Sequence, residues 1–290
     1  MTAQPETRVA LITGASSGIG KEAAIALASR GWRIIGTGRD AGRMAAAEAQ
    51  IRAASAEGEV TLLQADLSRL TDAARLAEEI ARLTPRLDVL ANNAGSMAAD
   101  RVMTEEGLEA NFAGNHLGPF LLTRRLLPLL RATAAHAAKG SVRIVNTSSD
   151  ASEMIPGLDL RDIQGLANFS VGAAYCRGKL ANVLFTRALA GRLADDGIVA
   201  HAFHPGTVAS NFLSHAPEAT RERVRKLPSR TEALGADTLI WLATAQEPGR
   251  TSGLYWHDRA VRTPNPLVED AQFVERFWRE SANLVDRIVS

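Results

Sequence analysis

The feature that most limits what this chain can fold into is the glycine-rich stretch TGASSGIG, residues 13–20. It directly follows RVALIT (8–13), a short apolar run typical of a strand, and it opens a helical pattern that ends at Gly31. A strand, a tight glycine turn and a helix in this order predict the first turn of an open α/β sheet. At such a turn, backbone N–H groups of the helix N-terminus face an anion such as a phosphate.

The rest of the chain keeps alternating between short apolar runs and longer helical patterns. Further strands are predicted at 32–38, 60–67, 87–95, 141–149, 198–206 and 252–256, and helices at 40–55, 71–83, about 104–133, 173–196 and about 268–288. Such alternation predicts βαβ units and a parallel sheet with helices on both faces. We therefore predict an α/β fold: a single Rossmann-type, doubly wound domain of about seven strands that spans residues 1–290.

Two segments, 150–172 and 207–230, interrupt this alternation without a clear strand. Each follows the predicted carboxyl end of a strand. In open α/β sheets, ligands bind in the crevice beyond those ends. We therefore expect the two segments to form walls of a substrate site.

Composition and charge exclude several classes of protein. The chain has 33 Lys and Arg against 32 Asp and Glu, so nothing indicates a nucleic-acid partner. One cysteine allows no internal disulfide, and the N-terminal stretch lacks the basic and apolar parts of a signal peptide. No window approaches about 18 apolar residues, so no membrane span is expected. We expect a cytoplasmic protein that acts on a small molecule.

The glycine stretch also fits a second pattern. Gly14, Ser16 and Gly18 match the Gly-x-Ser-x-Gly turn that carries a hydrolase nucleophile. That turn normally follows several strands and an upstream oxyanion loop. Here only thirteen residues precede Gly14, so the dinucleotide-binding interpretation is preferred.

The end of the second strand, GTGRD, bears on which dinucleotide would bind. An acidic residue at this place usually holds a free ribose 2′-hydroxyl, and a basic residue accommodates a 2′-phosphate. Gly38 stands where the acid would be expected, Arg39 follows at once, and Asp40 is predicted to cap the next helix. We expect NADP(H), with NAD(H) left as the alternative.

The stretch AAYCRGK (173–179) holds several chemically reactive side chains on a predicted helix. Tyr175 and Lys179 are four residues apart and share a face, whereas Cys176 and Arg177 point elsewhere. A tyrosine has a reference pKa of about 10, and a neighbouring ammonium lowers it by favouring the phenolate. Tyr175 and Lys179 are therefore a candidate general acid/base pair.

The chain resembles the short-chain dehydrogenase/reductase superfamily in six motifs that occur in the family's order. These are TGASSGIG (13–20), NNAG (92–95), NHLGPF (115–120), IVNTSS (144–149), YCRGK (175–179) and HPG (204–206). Several of its stretches resemble the retinol-dehydrogenase-like and WW-domain-oxidoreductase-like branch. Members of that branch act on bulky apolar alcohols, aldehydes or ketones, so the resemblance implies an oxidoreductase with such a substrate. With the cofactor expected from Arg39, we predict an NADP(H)-dependent enzyme.

The resemblance also implies a role for each matching residue. Tyr175 would be the catalytic acid/base, Lys179 would lower its pKa and hold the nicotinamide ribose, and Ser149 would hydrogen-bond the substrate oxygen. Asn115 would anchor a water that relays protons to Lys179, and no metal is implied. The implied cofactor-binding set is Gly14, Ser16, Ser17, Gly18, Ile19, Gly20, Arg39, Asp66, Leu67, Asn92, Ala94, Gly95, Tyr175, Lys179, Pro205, Gly206 and Thr207. Within this set, Asp66 would contact the adenine and Asn92 would line the groove.

Two departures from the family pattern bear on these roles. Gly178 stands where members often have a serine before the lysine. Ser149 lies 26 residues before Tyr175, whereas a shorter gap is common, so Ser148 stays an alternative to Ser149. Residues 154–170 would then form an extra loop over the substrate.

Two other functions are compatible with the same fold. One is a non-catalytic NADP(H)-binding regulatory protein, and the other is a nucleotide-sugar epimerase or dehydratase that keeps its cofactor bound. The intact set of Asn115, Ser149, Tyr175 and Lys179 favours the oxidoreductase.

Two further clusters of residues receive structural interpretations. His201 and His204 lie three apart in a predicted strand and point to opposite faces, so a shared metal is not expected. Phe273, Phe277 and Trp278 recur at helical spacing. We expect these aromatic residues in the core or in contact with a second copy of the chain.

Overall fold

A single sheet organises the computed structural model of the protein, which describes residues 7–55, 59–210, 212, 214 and 216–289. Its strands are β1 Val9–Ile12, β2 Arg33–Gly38, β3 Val60–Gln64, β4 Val89–Asn92, β5 Val142–Thr147, β6 Ile198–His204, β7 Leu254–His257 and β8 Ala260–Val261. The order across the sheet is β3-β2-β1-β4-β5-β6-β7-β8. Strands β1 to β7 pair in parallel, as predicted, and the two-residue β8 pairs antiparallel with β7.

Helices cover both faces of this sheet, which confirms the doubly wound α/β architecture. They are α1 Gly18–Ala28, α2 Ala41–Ala54, α3 Leu70–Leu83, α4 Ala110–Phe112, α5 Gly118–Ala134, α6 Val171–Arg192, α7 Glu218–Arg225, α8 Glu232–Thr244 and α9 Ala271–Asp286. A π-helical turn, Ala113–Leu117, joins α4 to α5. Helices α1 and α8 pack on one face, and α3, α5, α6 and α9 pack on the other.

The strands form two hydrophobic cores, one on each face of the sheet. Successive side chains of a strand point to opposite faces. Thus Leu11 of β1 packs into the core under α5 and α6, and its neighbour Ile12 packs into the core under α1 and α8. All four residues of β1 are buried, as expected for a parallel strand covered on both sides.

Two helices of the structure, α4 and α8, differ from what the sequence predicted. The helix expected from about residue 104 begins at Ala110, because Gly107 adopts a left-handed conformation and the Glu109 carboxylate caps the first turn of α4. Helix α8 was not predicted. Its buried residues Ala236, Leu239 and Leu242 do follow helical spacing.

The reversal of strand order lies between β1 and β4. From β1 the chain winds outward to β2 and β3, then returns to place β4 on the other side of β1. A crevice forms beyond the carboxyl ends of the strands at such a reversal, and ligands of this fold class bind there. Thr13 and Asn93 stand directly at this crevice, each one residue after its strand.

Candidate active site

The glycine loop at residues 13–20 folds tightly back on itself. Gly14 and Gly18 adopt left-handed conformations, with φ of 72° and 60°, which favour glycine. A Cβ on Gly20 would lie 2.4 Å from the Gly14 carbonyl oxygen, closer than any real side chain allows. The backbone therefore requires glycine at all three positions.

Thr13 and Asn93, which were not predicted as site residues, hold this loop against the end of β4. Thr13 Oγ1 accepts hydrogen bonds from the backbone N–H groups of Asn93 and Ala94, both at 2.9 Å. The Asn93 amide donates to the Thr13 carbonyl at 3.1 Å. The NNAG motif (92–95) could have identified Asn93, but only its first asparagine, Asn92, was included in the predicted cofactor-binding set.

The N-terminus of α1 is open to an anion. Its N-cap residue Ser17 makes no side-chain capping hydrogen bond, and the first turn carries no acidic residue. Helices α2, α6, α8 and α9 differ, because their N-cap side chains each accept a backbone N–H; these are Asp40, Ser170, Thr231 and Asp270. The uncapped N–H groups of α1 and the positive end of its dipole fit a phosphate group.

The end of β2 has no room for an acidic side chain at position 38. A Cβ on Gly38 would lie 2.9 Å from Ser16 Oγ. Arg39 follows and is exposed, and within the described part of the chain its guanidinium has no carboxylate partner. Asp40 caps α2 as predicted, accepting the Arg43 backbone N–H at 2.7 Å.

Arg39 and Asp66 line the same open depression, of about 810 Å³. The other arginines of this depression are engaged: Arg69 pairs with Glu105, and Arg75 pairs with Asp72 and Glu79. Arg39 is therefore the arginine of the depression that is left to bind an incoming anion, as judged from the residues the structure describes.

Asp66, Leu67 and Asn92 offer less to a cofactor than their neighbours do. Asp66 Oδ1 already accepts from the backbone N–H and hydroxyl of Ser68, at 3.0 and 2.8 Å. Leu67 is buried in the hydrophobic core. The buried Asn92 side chain donates to Thr123 and to Asn146, both at 2.9 Å. The Asn92 amide thus bridges helix α5 and strand β5, and its buried Oδ1 has no hydrogen-bond partner among the described residues.

The remaining residues of the predicted cofactor set lie around the crevice. Ile19 packs at the edge of the core under α8. Gly206 turns the chain after β6 with φ of 80°, between Pro205 and Thr207. The Thr207 carbonyl accepts the Arg230 backbone N–H at 2.9 Å, which ties this turn to the start of α8.

The two candidate serines after β5 have different surroundings. The buried Ser148 hydroxyl donates to the Lys179 backbone carbonyl at 2.7 Å. The Ser149 hydroxyl donates to Asp150 Oδ1 at 2.9 Å, and a hydrogen bond from Ser149 lowers the pKa of Tyr175. Ser149 is thus the serine that acts on the tyrosine, whereas the Ser148 hydroxyl is engaged by the backbone of α6.

Lys179, Asn115 and Gly95 meet beside Tyr175. The buried Lys179 Nζ lies 5.7 Å from the centre of the Tyr175 ring and donates to the Thr147 carbonyl at 3.3 Å. A Cβ on Gly95 would lie 2.6 Å from Asn115 Oδ1 and 3.3 Å from Lys179 Nζ. Asn115 Oδ1 is buried and has no hydrogen-bond partner among the described residues. The glycine thus leaves a small polar space in which that oxygen can accept a hydrogen bond.

Burial shifts the pKa values of Tyr175 and Lys179. It raises the pKa of Tyr175 to about 12. The Ser149 hydrogen bond lowers this pKa, and the Asp150 charge raises it further. Burial lowers the pKa of Lys179 to about 8. Burial therefore shifts the tyrosine pKa in the direction opposite to that expected from the Lys179 charge, which is not among the causes of this shift, and the role of Lys179 stays a prediction. Tyr175 is protonated at neutral pH and can donate.

Asn115 is held in place by the π-helical turn that contains it. Its Nδ2 donates to the carbonyl groups of Ser96 and Asn111, both at 2.8 Å. Helix α6 approaches closely on the other side, where a Cβ on Gly178 would lie 3.2 Å from Asn115 Cβ. Gly178, which departs from the family pattern, therefore leaves the space that the Asn115 side chain occupies.

The segment 150–172, predicted as a wall of the site, is tied to the body of the protein. Arg177 of α6 donates to the Gln164 carbonyl at 3.2 Å, and Gln164 Oε1 accepts the Glu109 backbone N–H at 2.8 Å. Near its other end, Glu153 accepts two hydrogen bonds from Arg262, at 2.6 and 2.9 Å. From the second predicted wall, 207–230, the Phe212 ring packs 5.5 Å from the Tyr175 ring.

Membrane-spanning helices and metal-binding clusters are both missing from the described residues. Helices long and apolar enough to cross a bilayer are absent from that part of the chain. Clusters of three or more His, Cys, Asp or Glu that could hold a metal ion are also absent from it. Phe273 and Phe277 are buried in the core, which agrees with one of the two interpretations given to the C-terminal aromatic residues.

Comparisons with known proteins agree with this geometry. A family model described as short chain dehydrogenase matches residues 8–221. Retinol dehydrogenase 13 of Homo sapiens is 36% identical over 286 residues, which is 96% of this chain and 84% of that protein. The proposed daunorubicin C-13 ketoreductase DnrU of Streptomyces sp. (strain C5) is 36% identical over 279 residues, 96% of this chain and 92% of DnrU.

A solved structure is similar as well. The Pseudomonas aeruginosa RhlG/NADP active-site complex superposes with a TM-score of 0.65 and 30% identity, covering 86% of this chain and 93% of RhlG. The family model covers most of the chain, and the relatives include both a retinol dehydrogenase and a ketoreductase by name. The chain therefore belongs to the short-chain dehydrogenase family, in its retinol-dehydrogenase-like branch, and is an alcohol–carbonyl oxidoreductase.

Proposed function

We propose that the protein is an NADP(H)-dependent oxidoreductase that interconverts an apolar alcohol and its aldehyde or ketone. The observation that carries this proposal is the meeting of the buried Lys179 and Asn115 beside Tyr175, whose pKa is lowered by a hydrogen bond from Ser149. A bound nicotinamide cofactor would supply or accept the hydride. The residues of this chain would hold the substrate oxygen and move its proton.

In carbonyl reduction, Tyr175 would act as the general acid. Its raised pKa, about 12, keeps the hydroxyl protonated, so it can give that proton to the oxygen as the carbonyl becomes an alcohol. The Ser149 hydroxyl would stabilise the negative charge that develops on the same oxygen. In alcohol oxidation the proton would return to the tyrosine oxygen.

Lys179 and Asn115 would restore the proton on Tyr175. A lysine with a pKa lowered to about 8 releases a proton far more readily near neutral pH than an exposed lysine does. The unpartnered Asn115 Oδ1 would hold a water in the polar space beside Gly95 and Lys179. A relay through that water would connect the lysine with solvent.

The preference for NADP(H) over NAD(H) rests on the end of β2. Arg39 would pair with a 2′-phosphate, and Gly38 leaves no carboxylate to bind a 2′-hydroxyl. The similar RhlG structure is a complex with NADP. The glycine loop and the open N-terminus of α1, at Ser17 and Gly18, would hold the pyrophosphate.

The preference for an apolar substrate rests on the walls of the crevice and on the relatives. The Phe212 ring lies against Tyr175, and Met154, in the segment 150–172, is 70% exposed. The similar proteins are named for retinol and daunorubicin, both large ring-containing molecules. We therefore propose a bulky, mainly apolar aldehyde or ketone. The cytoplasmic location and a contact with a second copy stay predictions.

Hydride transfer to a panel of aldehydes and ketones tests the proposal. We expect NADPH oxidation, followed by the loss of its near-ultraviolet absorbance, with aromatic and long-chain carbonyls, and little with small polar ones. Tight NADPH binding without any turnover would instead favour the regulatory protein. Nucleotide retained through purification, with no net oxidation, would favour the epimerase or dehydratase.

The Arg39→Ala variant tests the cofactor choice. It should raise the Kd for NADPH about 10- to 100-fold, because a charge-assisted bond to the 2′-phosphate is lost, and should change the Kd for NADH less than about threefold. Arg69→Ala is a matched control in the same depression, where Arg69 already pairs with Glu105. Equal losses of NADPH and NADH affinity in Arg39→Ala would refute the preference.

A further inference from the structure

Asp150 is the one charged residue in direct contact with the Ser149 hydroxyl among the residues the structure describes. The Ser149 hydroxyl donates to Asp150 Oδ1 at 2.9 Å, because a carboxylate can only accept. The Ala151 backbone N–H donates to the same serine oxygen at 3.2 Å. The hydrogen bond by which Ser149 lowers the Tyr175 pKa needs the same single proton, which here lies on the bond to Asp150.

This arrangement creates a competition for one proton. A substrate oxygen that is to be bound by Ser149 needs the hydroxyl proton that Asp150 now holds. The Asp150 side chain is 55% exposed, so its carboxylate can turn to water when the serine leaves it. Binding of the substrate oxygen then exchanges one acceptor for another on the same hydroxyl.

His204, the last residue of strand β6, holds the backbone of Asp150 in place. The Asp150 backbone N–H donates to His204 Nδ1 at 3.2 Å, so the neutral imidazole carries its proton on Nε2, which lies 3.8 Å from Asp150 Oδ2. Burial lowers the pKa of His204 to about 4, so the ring is neutral at physiological pH. His257 stacks on it with ring centres 4.6 Å apart and donates to the His204 carbonyl.

We propose that Asp150 is a positioning residue for the Ser149–Tyr175 pair: its carboxylate holds the serine proton until a substrate oxygen takes it, and its charge opposes ionisation of the tyrosine. This inference rests on the proposed function of that pair. It assigns Asp150 two effects: orienting the Ser149 proton, and keeping Tyr175 protonated, which is the state that carbonyl reduction requires. The increase in the Tyr175 pKa caused by the Asp150 charge agrees with this effect.

Several other charged or titratable groups lie near Asp150, Tyr175 or His204 and stay unchanged in the test. They are His204 on β6, His257 on β7, Glu153 on the turn after β5, Arg262 after β8, and Cys176 and Lys179 on α6. A substitution at position 150 alone therefore isolates the contribution of this one carboxylate.

Two substitutions separate the two effects of Asp150. Asp150→Asn keeps an oxygen acceptor for Ser149 but removes the charge, and Asp150→Ala removes both. Both variants should lower the pH at which Tyr175 ionises by roughly half a unit, since the lost charge is partly exposed and screened. Asp150→Ala should also lower the KM for a carbonyl substrate about threefold to tenfold, because the serine no longer gives up a hydrogen bond.

The ionisation of Tyr175 can be followed without any turnover. The chain has 2 tyrosines, so NMR of protein labelled with ¹³Cζ-tyrosine gives two signals, which Tyr255→Phe assigns. Asp286→Asn is a matched control, because Asp286 is 58% exposed and pairs with Arg124 on another part of the protein. It should leave both the titration and KM unchanged. A urea denaturation midpoint within error of that of the wild-type protein shows that each variant is folded.

The outcomes distinguish this inference from the proposed function. A lower ionisation pH for Tyr175 in both variants, with a lower KM in Asp150→Ala, supports the inference. An unchanged titration in Asp150→Asn, or a raised KM in Asp150→Ala, overturns it. If the wild-type protein turns over no carbonyl, the proposed function fails, and the NMR titration still decides whether Asp150 acts on Tyr175.

Discussion

The glycine loop at residues 13–20 and the proposed catalytic group of Asn115, Ser149, Tyr175 and Lys179 lie at the same edge of the sheet but are built differently. The loop is shaped by backbone: two left-handed glycines, one glycine with no space for a Cβ, and a helix end without a cap. The catalytic group is shaped by side chains that burial has moved away from their ordinary pKa values.

This difference shows that the two regions affect stability in opposite ways. The loop satisfies its own backbone through hydrogen bonds such as those of Thr13 with Asn93, so its residues support the fold as well as a ligand. A buried lysine without a carboxylate partner among the described residues lowers stability. Lys179 is therefore retained in spite of its effect on stability. Substitutions in the two regions should have opposite effects on the free energy of unfolding.

Gly20→Ala should have the largest effect on the loop. The added Cβ would press on the Gly14 carbonyl at 2.4 Å, where only backbone could move. We expect a loss of about 1–3 kcal/mol in the free energy of unfolding and a loss of NADPH affinity greater than about 100-fold, roughly 2.7 kcal/mol. Urea denaturation and fluorescence titration with NADPH measure these two effects.

Gly191→Ala is the control for this substitution. Gly191 lies in α6, and a Cβ there would meet nothing within 4 Å, so helix propensity should raise stability by up to about 1 kcal/mol. If Gly20→Ala bound NADPH as well as Gly191→Ala does, the close backbone contact would not be needed for the cofactor.

Lys179→Met should abolish turnover and make the protein more stable. Because folded Lys179, with a pKa of about 8 instead of 10.5, holds its proton weakly, unfolding takes up a proton between those pH values. The wild-type protein should therefore gain stability as pH rises through that window, and below it the buried lysine costs about 3 kcal/mol. Lys179→Met should recover much of that energy at pH 7 and remove the rise.

Urea denaturation at pH 7, 8, 9 and 9.5 measures this difference between the two proteins. The range ends below pH 10, because the raised pKa of Tyr175 lowers stability as pH increases from 10 to about 12. A Lys179→Met protein less stable than wild type at pH 7 would show that the lysine supports the fold.

Gly178→Ser should have the smallest effect, because it acts on the catalytic group only through Asn115. The new side chain would press on Asn115 Cβ from 3.2 Å, and the neighbour must move by a few tenths of an ångström. We expect turnover to fall about twofold to fivefold, with NADPH affinity unchanged. Gly172→Ser, on the same helix with no atom within 4 Å of its Cβ, should not change turnover, and equal effects of both variants would exclude the contact with Asn115.

The sequence was sufficient where a local pattern determines the structure. The glycine loop, the Asp40 cap on α2 and the shared helix of Tyr175 and Lys179 each depend on residues close together in the chain. The parallel sheet followed from the regular alternation of strands and helices.

The sequence was insufficient where distant segments meet. Thr13 and Asn93 are 80 residues apart, and Asp150 and His204 are 54 apart, so no local spacing pointed to either contact. Helical spacing predicted that Tyr175 and Lys179 lie close together, but not the burial that raises the pKa of the tyrosine and lowers that of the lysine. The distinction between Ser148 and Ser149 likewise required the position of the Lys179 carbonyl.

The proposed mechanism depends most on Tyr175 as the residue that moves the proton, and Tyr175→Phe tests that role most directly. Phenylalanine keeps the ring against Phe212 but removes the hydroxyl. We expect kcat for carbonyl reduction to fall about 1,000-fold or more, while the Kd for NADPH stays within about twofold of wild type. A variant that binds NADPH normally and keeps more than about a tenth of wild-type turnover would contradict this role for the tyrosine.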